Sequence, residues 1–287
     1  MSSHSLATAR AALVTHLIWA RIAGEVGTPR ENNLQHLRAL ASGDEYHHFG
    51  LDLADRWSDE DKLLELMAER CGISDDPEYT HGIDTIDPEL TVNALDRVAA
   101  RLREAADAGE RVLLASGHPA GLMPVHQAVA RALHKAGCRI ALPPDGILTP
   151  EGEIRHLDGV VVVHRGGNLM HTHSPLPMQR ILDVMQMDGT APDLVHADHG
   201  WAGCSGQRGI DTLGYADSND PALFVGEAEG RLIATVPLDD NVPPYRYQPM
   251  IDYLLKAAGL PADDRFGSPR PTSHTSRRLR VRPAKRR

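Results

Sequence analysis

From residue 111 onward the chain alternates short apolar runs with helix-period segments, and this alternation limits the possible folds more than any other feature. The run RVLLAS at 111–116 is followed by LMPVHQAVARALHKAG, where Leu122, Val125, Val129 and Leu133 share one helical face. CRIALPPDG then reads as a second strand and a turn, which closes a βαβ unit. GVVVVH at 159–164 is a third strand, and 169–173 is extended again. Residues 177–187 form a helix with proline near its first turn, and LVH at 194–196 begins a fourth strand. Uninterrupted apolar runs this short suit strands buried on both faces. The segment ALFVGEAEGRLIATVPL reads as two more strands joined at Glu229-Gly230, and a last helix covers 249–258. The expected fold class is α/β, with a mostly parallel sheet covered by helices.

The preceding residues carry helical periodicity instead. Over 5–26, Leu13, Leu17, Ala20 and Gly24 fall on one face, and Thr28-Pro29 stops the helix. A second helix covers 33–41. Ser58 and Asp61 have the spacing of a capping box that opens a third, which Gly72 ends. Asp87-Pro88-Glu89 opens a fourth, which Gly109 ends. The chain therefore divides into a helical region over 1–108, an α/β domain with the active site over 109–262, and a basic tail over 263–287. That tail is poor in core-forming residues and rich in like charges, so it is expected to be disordered.

Charge narrows the function. The last twenty residues hold eight Lys and Arg and no acid, so removing them takes the net charge from −9 to −17. So acidic a body argues against nucleic acid as a partner, apart from weak contacts through the tail, and fits carboxylates gathered around cations. Three scattered cysteines without a CxxC support neither a disulfide framework nor a zinc ribbon. No apolar stretch approaches the roughly 20 residues that span a bilayer, and no signal peptide is evident. The expectation is a cytoplasmic protein without membrane contact.

In open parallel sheets, ligands bind beyond the carboxyl ends of the strands. Ser116-Gly117-His118 follows the first strand here, Asp145-Gly146 the second and His164 the third. His171 and His173 come next, two residues apart, so on an extended segment both imidazoles point one way. Asp198-His199 follows the fourth strand, and Asp217, Asn219 and Asp220 follow about twenty residues later. Asp and Asn oxygens suit Mg²⁺ or Mn²⁺, and histidine shifts the preference toward Mn²⁺, Fe²⁺ or Zn²⁺. The expected metal ligands are thus Asp198, Asp217, Asn219, Asp220, His171 and His173. A cation there polarises a phosphoryl oxygen or generates hydroxide, with Asp198 and His199 as the catalytic acid, base or nucleophile. Gly117 and His118, at a helix N-terminus, and Arg30 and Asn33 in TPRENN are the expected substrate contacts. Cys204 lacks a phosphatase loop and is expected to be structural. Neither a P-loop nor a serine-hydrolase elbow is present.

The segments RIAGEVGTPRENNL, MAERCGI, DTIDPELTV, LLASGHPAGL, HTHSP, DLVHADHGWAGCSGQ and GYADSNDPALFVGEAEG resemble a family of small bacterial proteins known as phosphatases. The resemblance covers most of residues 21–230 and assigns no catalytic residue. The layout is also similar to that of the metal-dependent damage-control phosphatases, in which an Asp-Asn pair and a further Asp hold the cation. Here Asp198 is followed by His199, and Asn219 lies between Asp217 and Asp220.

The function these features favour is a metal-dependent phosphatase acting on a phosphomonoester of a small metabolite. The expected cofactor is a divalent metal, Mg²⁺ or Mn²⁺ first and Zn²⁺ or Fe²⁺ second. Two other readings remain at this point. A His-rich metal amidohydrolase or lyase would use His118, His171 and His173 as ligands. A non-catalytic small-molecule binding protein would need none of this chemistry.

Overall fold

The computed structural model describes residues 3–262, so the expected basic tail lies outside the described residues. Helix α1 (Ser3–Ala20) ends earlier than its periodicity predicts. Arg21 (φ 59) and Gly24 (φ 80) turn the chain through the left-handed region, and Gly24–Pro29 becomes strand β1. β1 pairs antiparallel with β2 (Ile83–Ile86), Gly24 opposite Ile86 and Pro29 opposite Ile83. Nothing local announces this ribbon, because its two strands are distant in sequence.

Pro29 lies at the N-terminus of α2 (Arg30–Ala41). Helix α3 (Glu60–Cys71) is capped by Asp59, whose carboxylate accepts from the N–H groups of Asp61 and Lys62, so Ser58 does not form the expected box. Gly72 (φ 86) closes it. Asp87 caps α4 (Pro88–Ala108), and Gly109 ends it.

The main sheet begins with β3 (Arg111–Ala115), followed by α5 (Pro119–Lys135) and β4 (Arg139–Ile140). A meander of β5 (Leu148–Thr149), β6 (Gly152–Leu157), β7 (Val160–Arg165) and β8 (Asn168–Leu169) precedes α6 (Leu176–Met187). Then come β9 (Leu194–Asp198), α7 (His199–Gln207), β10 (Asp211–Ala216), α8 (Pro221–Ala228), β11 (Ala234–Pro237) and α9 (Gln248–Ala258). The order is β11-β10-β9-β3-β7-β6-β5; the strands from β11 to β7 are parallel, and β6 and β5 form an antiparallel edge. β4 is shorter than expected because β3 is shared. Val112 faces Ile140 of β4, whereas Leu114 faces Val160 of β7.

Two local readings change. Residues 221–228 are helical, not extended, and Leu223, Phe224 and Val225 are all fully or almost fully buried. A short helix buried all round has the same uninterrupted apolar run as a buried strand, so periodicity does not separate them. Of the extended segment expected over 169–173, only Leu169 lies in a strand. The hydrophobic core is continuous from Leu13 to Leu260, with α4 laid against β11 and α9. Among the described residues no helix is long and apolar enough to cross a membrane.

From β3 the chain runs to β7 on one side, then returns to β9 on the other. The point where connections reverse direction lies between the carboxyl ends of β3 and β9, which is where open α/β sheets place a ligand crevice.

Candidate active site

At that point lies Asp198, the last residue of β9 and fully buried. Its Oδ2 accepts from Ser116 Oγ (2.7 Å) and His126 Nε2 (3.0 Å). Its Oδ1 accepts from the N–H of Gly117 (2.6 Å), the N–H of His118 (3.1 Å) and His199 Nδ1 (3.1 Å). Burial favours the neutral acid, but the bonds from His126 and His199 outweigh it and hold the carboxyl well below the usual range. The amides at the start of α5, expected to hold a phosphate, hold Asp198 instead. With both oxygens engaged, Asp198 sits behind the pocket as an anchor. It does not line the cavity where the sequence places it as metal ligand, base or nucleophile.

A buried chain continues behind it. His126 Nδ1 lies 2.8 Å from His196 Nδ1, and His196 Nε2 lies 2.9 Å from the Tyr215 hydroxyl. Because Asp198 only accepts, a neutral His126 carries its proton on Nε2 and accepts at Nδ1. His196 must then donate from Nδ1 and accept from Tyr215. The hydrogen bonds run in one direction, from Tyr215 to Asp198. Burial holds His196 neutral, as this requires.

In front of Asp198 is a cavity of about 210 Å³. His118 enters it after β3, His171 and His173 after β8, and His199 after β9. Asp217, Asn219 and Asp220 follow β10, Asp240 and Asn241 follow β11, and Thr28 comes from β1. His171 Nε2 and His173 Nε2 meet at 3.2 Å, so the two rings of the HxH point the same way. The His171 ring stacks on His118 (4.2 Å between centroids), and His173 on His199 (4.6 Å).

His199 occupies a left-handed conformation (φ 46), a strained choice for a residue with a Cβ. With Nδ1 on Asp198, its Nε2 faces the cavity, 3.4 Å from both Asp220 Oδ2 and Asp240 Oδ2. Close backbone approaches fix this arrangement. A Cβ on Gly200 would lie 2.0 Å from the His173 carbonyl oxygen, and one on Gly121 would lie 1.9 Å from that of Asp240.

The electrostatics are those of crowded acids beside imidazoles. Burial, with Asp240 adding to it, raises Asp220 to about 7 despite His199. Burial and the neighbouring Asp240 and Asp239 push Asp217 well above the carboxylate range. His199 loses to burial but gains more from Asp220, Asp198 and Asp240, and rises to about 10. Burial and neighbouring imidazoles lower His171 to about 4 and His173 to about 2. Four buried atoms here have no hydrogen-bond partner: Asp220 Oδ1, Asp240 Oδ2, His118 Nδ1 and His173 Nδ1. Two of them, His118 Nδ1 and Asp240 Oδ2, stand 3.1 Å apart as an ion pair outside hydrogen-bond geometry.

Two expected substrate contacts lie elsewhere. Arg30 is fully buried and donates to the carbonyls of Tyr79, Ser74 and Asp76 and to Asp84. Asn33 donates to Asp84 and accepts from Ser218 Oγ, which braces the Asp217 turn from behind. Asp145 pairs with His156 at 3.2 Å on the meander, and neither it nor His164 lines the cavity. Cys204 is buried, its thiol pushed up to about 11 chiefly by burial, consistent with a structural residue. The sequence reading passed over Asp239, Asp240, Thr28 and His126. The signal for the first two was present: Asp239-Asp240-Asn241 closes the apolar run ATVPL as Asp198-His199 closes LVHA.

Among the described residues, three sets of donor atoms lie within 4.8 Å of one another: His118 with His171 and His199, His173 with His199 and Asp220, and Asp217 with Asp239 and Asp240. A family model described as Phosphatase matches residues 8–262 of the chain. The chain is also similar to Phosphatase SCO2771 of Streptomyces coelicolor, 56% identical over 253 residues, covering 88% of this chain and 97% of that protein.

Proposed function

The chain belongs to the Phosphatase family, and from that premise we propose that it hydrolyses a phosphomonoester of a small metabolite using a divalent cation held in the His/Asp cavity. The observation that carries this reading is the charge of the wall. Asp217, Asp220 and Asp240 line it, and among the described residues no Lys or Arg does. A phosphate dianion entering such a cavity needs more positive charge than His118 and His199 bring. A bound cation would supply that charge and polarise a phosphoryl oxygen.

The residues fit such an ion. His199 presents Nε2 while Nδ1 rests on a buried carboxylate, the arrangement that orients and strengthens metal-bound imidazoles. Two nitrogens each about 2.0–2.1 Å from one ion stand roughly 3 Å apart, as His171 and His173 do at 3.2 Å. Imidazoles mixed with carboxylates favour Mn²⁺, Zn²⁺ or Fe²⁺ over Mg²⁺. His118, whose pKa burial lowers but Asp240 raises further, serves as the cationic contact to the phosphate. A cavity of about 210 Å³ is small beside typical ligand sites of roughly 300–1,000 Å³, which favours a compact substrate. Three unpaired, buried cysteines accord with a cytoplasmic protein.

Phosphate release from a panel of phosphorylated metabolites is expected with Mn²⁺ or Zn²⁺, to vanish on exhaustive chelation, and to return on re-addition. Undiminished turnover after chelation would exclude the cation.

Stability of the cation-free chain should fall as pH rises above neutrality. Asp220 (from 3.8 to about 7) and His199 (from 6.5 to about 10) bind protons more tightly folded than unfolded, so their stabilisation is lost as pH climbs through the folded values. His171 and His173 are shifted down from 6.5 and act in the opposite sense, but only below that value. Asp220 has lost its share by about pH 7, so between about pH 7 and 9.5 His199 alone of these four operates. The melting temperature of chelated protein should drop over that window, and saturating Mn²⁺ should flatten the curve. Parallel curves with and without Mn²⁺ would contradict the assignment of these residues as ligands.

A further inference from the structure

We propose that the cavity binds two divalent cations side by side, one on the histidines and one on Asp217 and Asp239, with Asp240 shared between them. This rests on the cation reading above and extends it from one ion to a pair. Both histidine-containing donor sets include His199, whose Nδ1 is taken by Asp198, so its one free nitrogen places them at one centre, with His118 left for the phosphate. The set of Asp217, Asp239 and Asp240 shares no residue with either and describes a second.

The acidic centre is built, not merely crowded. Asp239 is held by the N–H groups of Gly27 (2.9 Å) and Asn241 (3.0 Å), and Asp217 by Thr28 Oγ1 and the N–H of Ser218. Each of these carboxylates keeps a lone pair free, since a carboxylate oxygen accepts more than one bond. Asp240 links the two centres. Its Oδ2 is buried and without a hydrogen-bond partner, although it lies 3.1 Å from His118 Nδ1 and 3.4 Å from His199 Nε2. His118 Nδ1, which approaches from outside the acidic set, is buried and meets that oxygen as an ion pair outside hydrogen-bond geometry.

Charge points the same way. Four buried carboxylates, Asp217, Asp220, Asp239 and Asp240, stand together here. Ionised as ligands they carry four negative charges, which two divalent cations match and one does not. Paired ions about 3.5–4 Å apart suit in-line displacement at phosphorus, since they stabilise both the entering and the leaving oxygen.

The test uses the full-length chain, stripped of metal and titrated with Mn²⁺, with bound ions counted by elemental analysis and their coupling read by electron paramagnetic resonance. Two equivalents with a spin-coupled signal are expected. Asp239→Asn should retain one ion with an uncoupled six-line signal and bind the second at least tenfold more weakly. A single equivalent in the unmodified chain, or two uncoupled ions, overturns the pair; the unmodified chain decides this even if the variant does not fold. One ion with phosphate release intact overturns the pair alone and leaves the phosphatase reading standing. Two coupled ions without release from any monoester confirm the pair and overturn the phosphatase reaction proposed above.

Discussion

Asp198→Asn should destabilise the protein by about 3–5 kcal/mol, because it removes one partner from a buried charged network. The fully buried carboxylate receives five hydrogen bonds, from Ser116, Gly117, His118, His126 and His199. An amide in its place turns an NH₂ toward donors and leaves at least one of them unpaired, at about 1–3 kcal/mol apiece. For a chain of this size the melting temperature should fall by roughly 10 °C. Activity should fall as well, by about 10–100-fold, since His199 loses the group that orients its ring. Thermal melts and Mn²⁺ titrations of the variant check both effects. Unchanged melting and unchanged Mn²⁺ affinity would show that Asp198 does not anchor the site.

Gly121→Ala is the second large effect, and its sign is the informative part. Inside an exposed helix, Gly→Ala stabilises by about 1 kcal/mol. At Gly121 the new methyl would lie 1.9 Å from the Asp240 carbonyl oxygen and 3.1 Å from its carbon. Backbone cannot rotate away as a side chain can. Either α5 shifts, or the segment after β11 is pushed off and carries Asp240 out of the cavity. Overpacking of this kind costs about 1–3 kcal/mol or more. The variant should melt lower than the unmodified protein and bind Mn²⁺ at least tenfold more weakly. A variant that melts higher, as helix propensity alone would have it, would mean that α5 and Asp240 are not in contact. Gly200→Ala applies the same push to His173, where the clash is with the carbonyl oxygen at 2.0 Å.

The misreadings share a cause. The β1/β2 ribbon pairs strands whose only specification is each other. Helix α8 was read as a strand because burial on every side erases the amphipathic contrast from which periodicity is read. Arg30 looked like an anion contact because an arginine in a polar string carries no mark of depth, yet four acceptors from residues 74–84 enclose it.

The amino-acid sequence by itself determined the α/β class, the parallel sheet and the kinds of ligand that follow each strand. These are local matters: period sets which face is apolar, and the residue after a strand's last apolar position lies on the sheet's rim whatever the neighbours are. Only the tertiary structure decided which rim residues face the cavity. Asp198 and Asp240 both follow buried strands and look equivalent in sequence. Asp198 meets the amides of α5 and two imidazoles, spends its lone pairs on them and becomes an anchor. Asp240 meets no donor in hydrogen-bond geometry at Oδ2 and is left facing the cavity. The order of β3, β9, β10 and β11 brings different partners to each, and that order is set by long-range packing, which no short window of sequence contains.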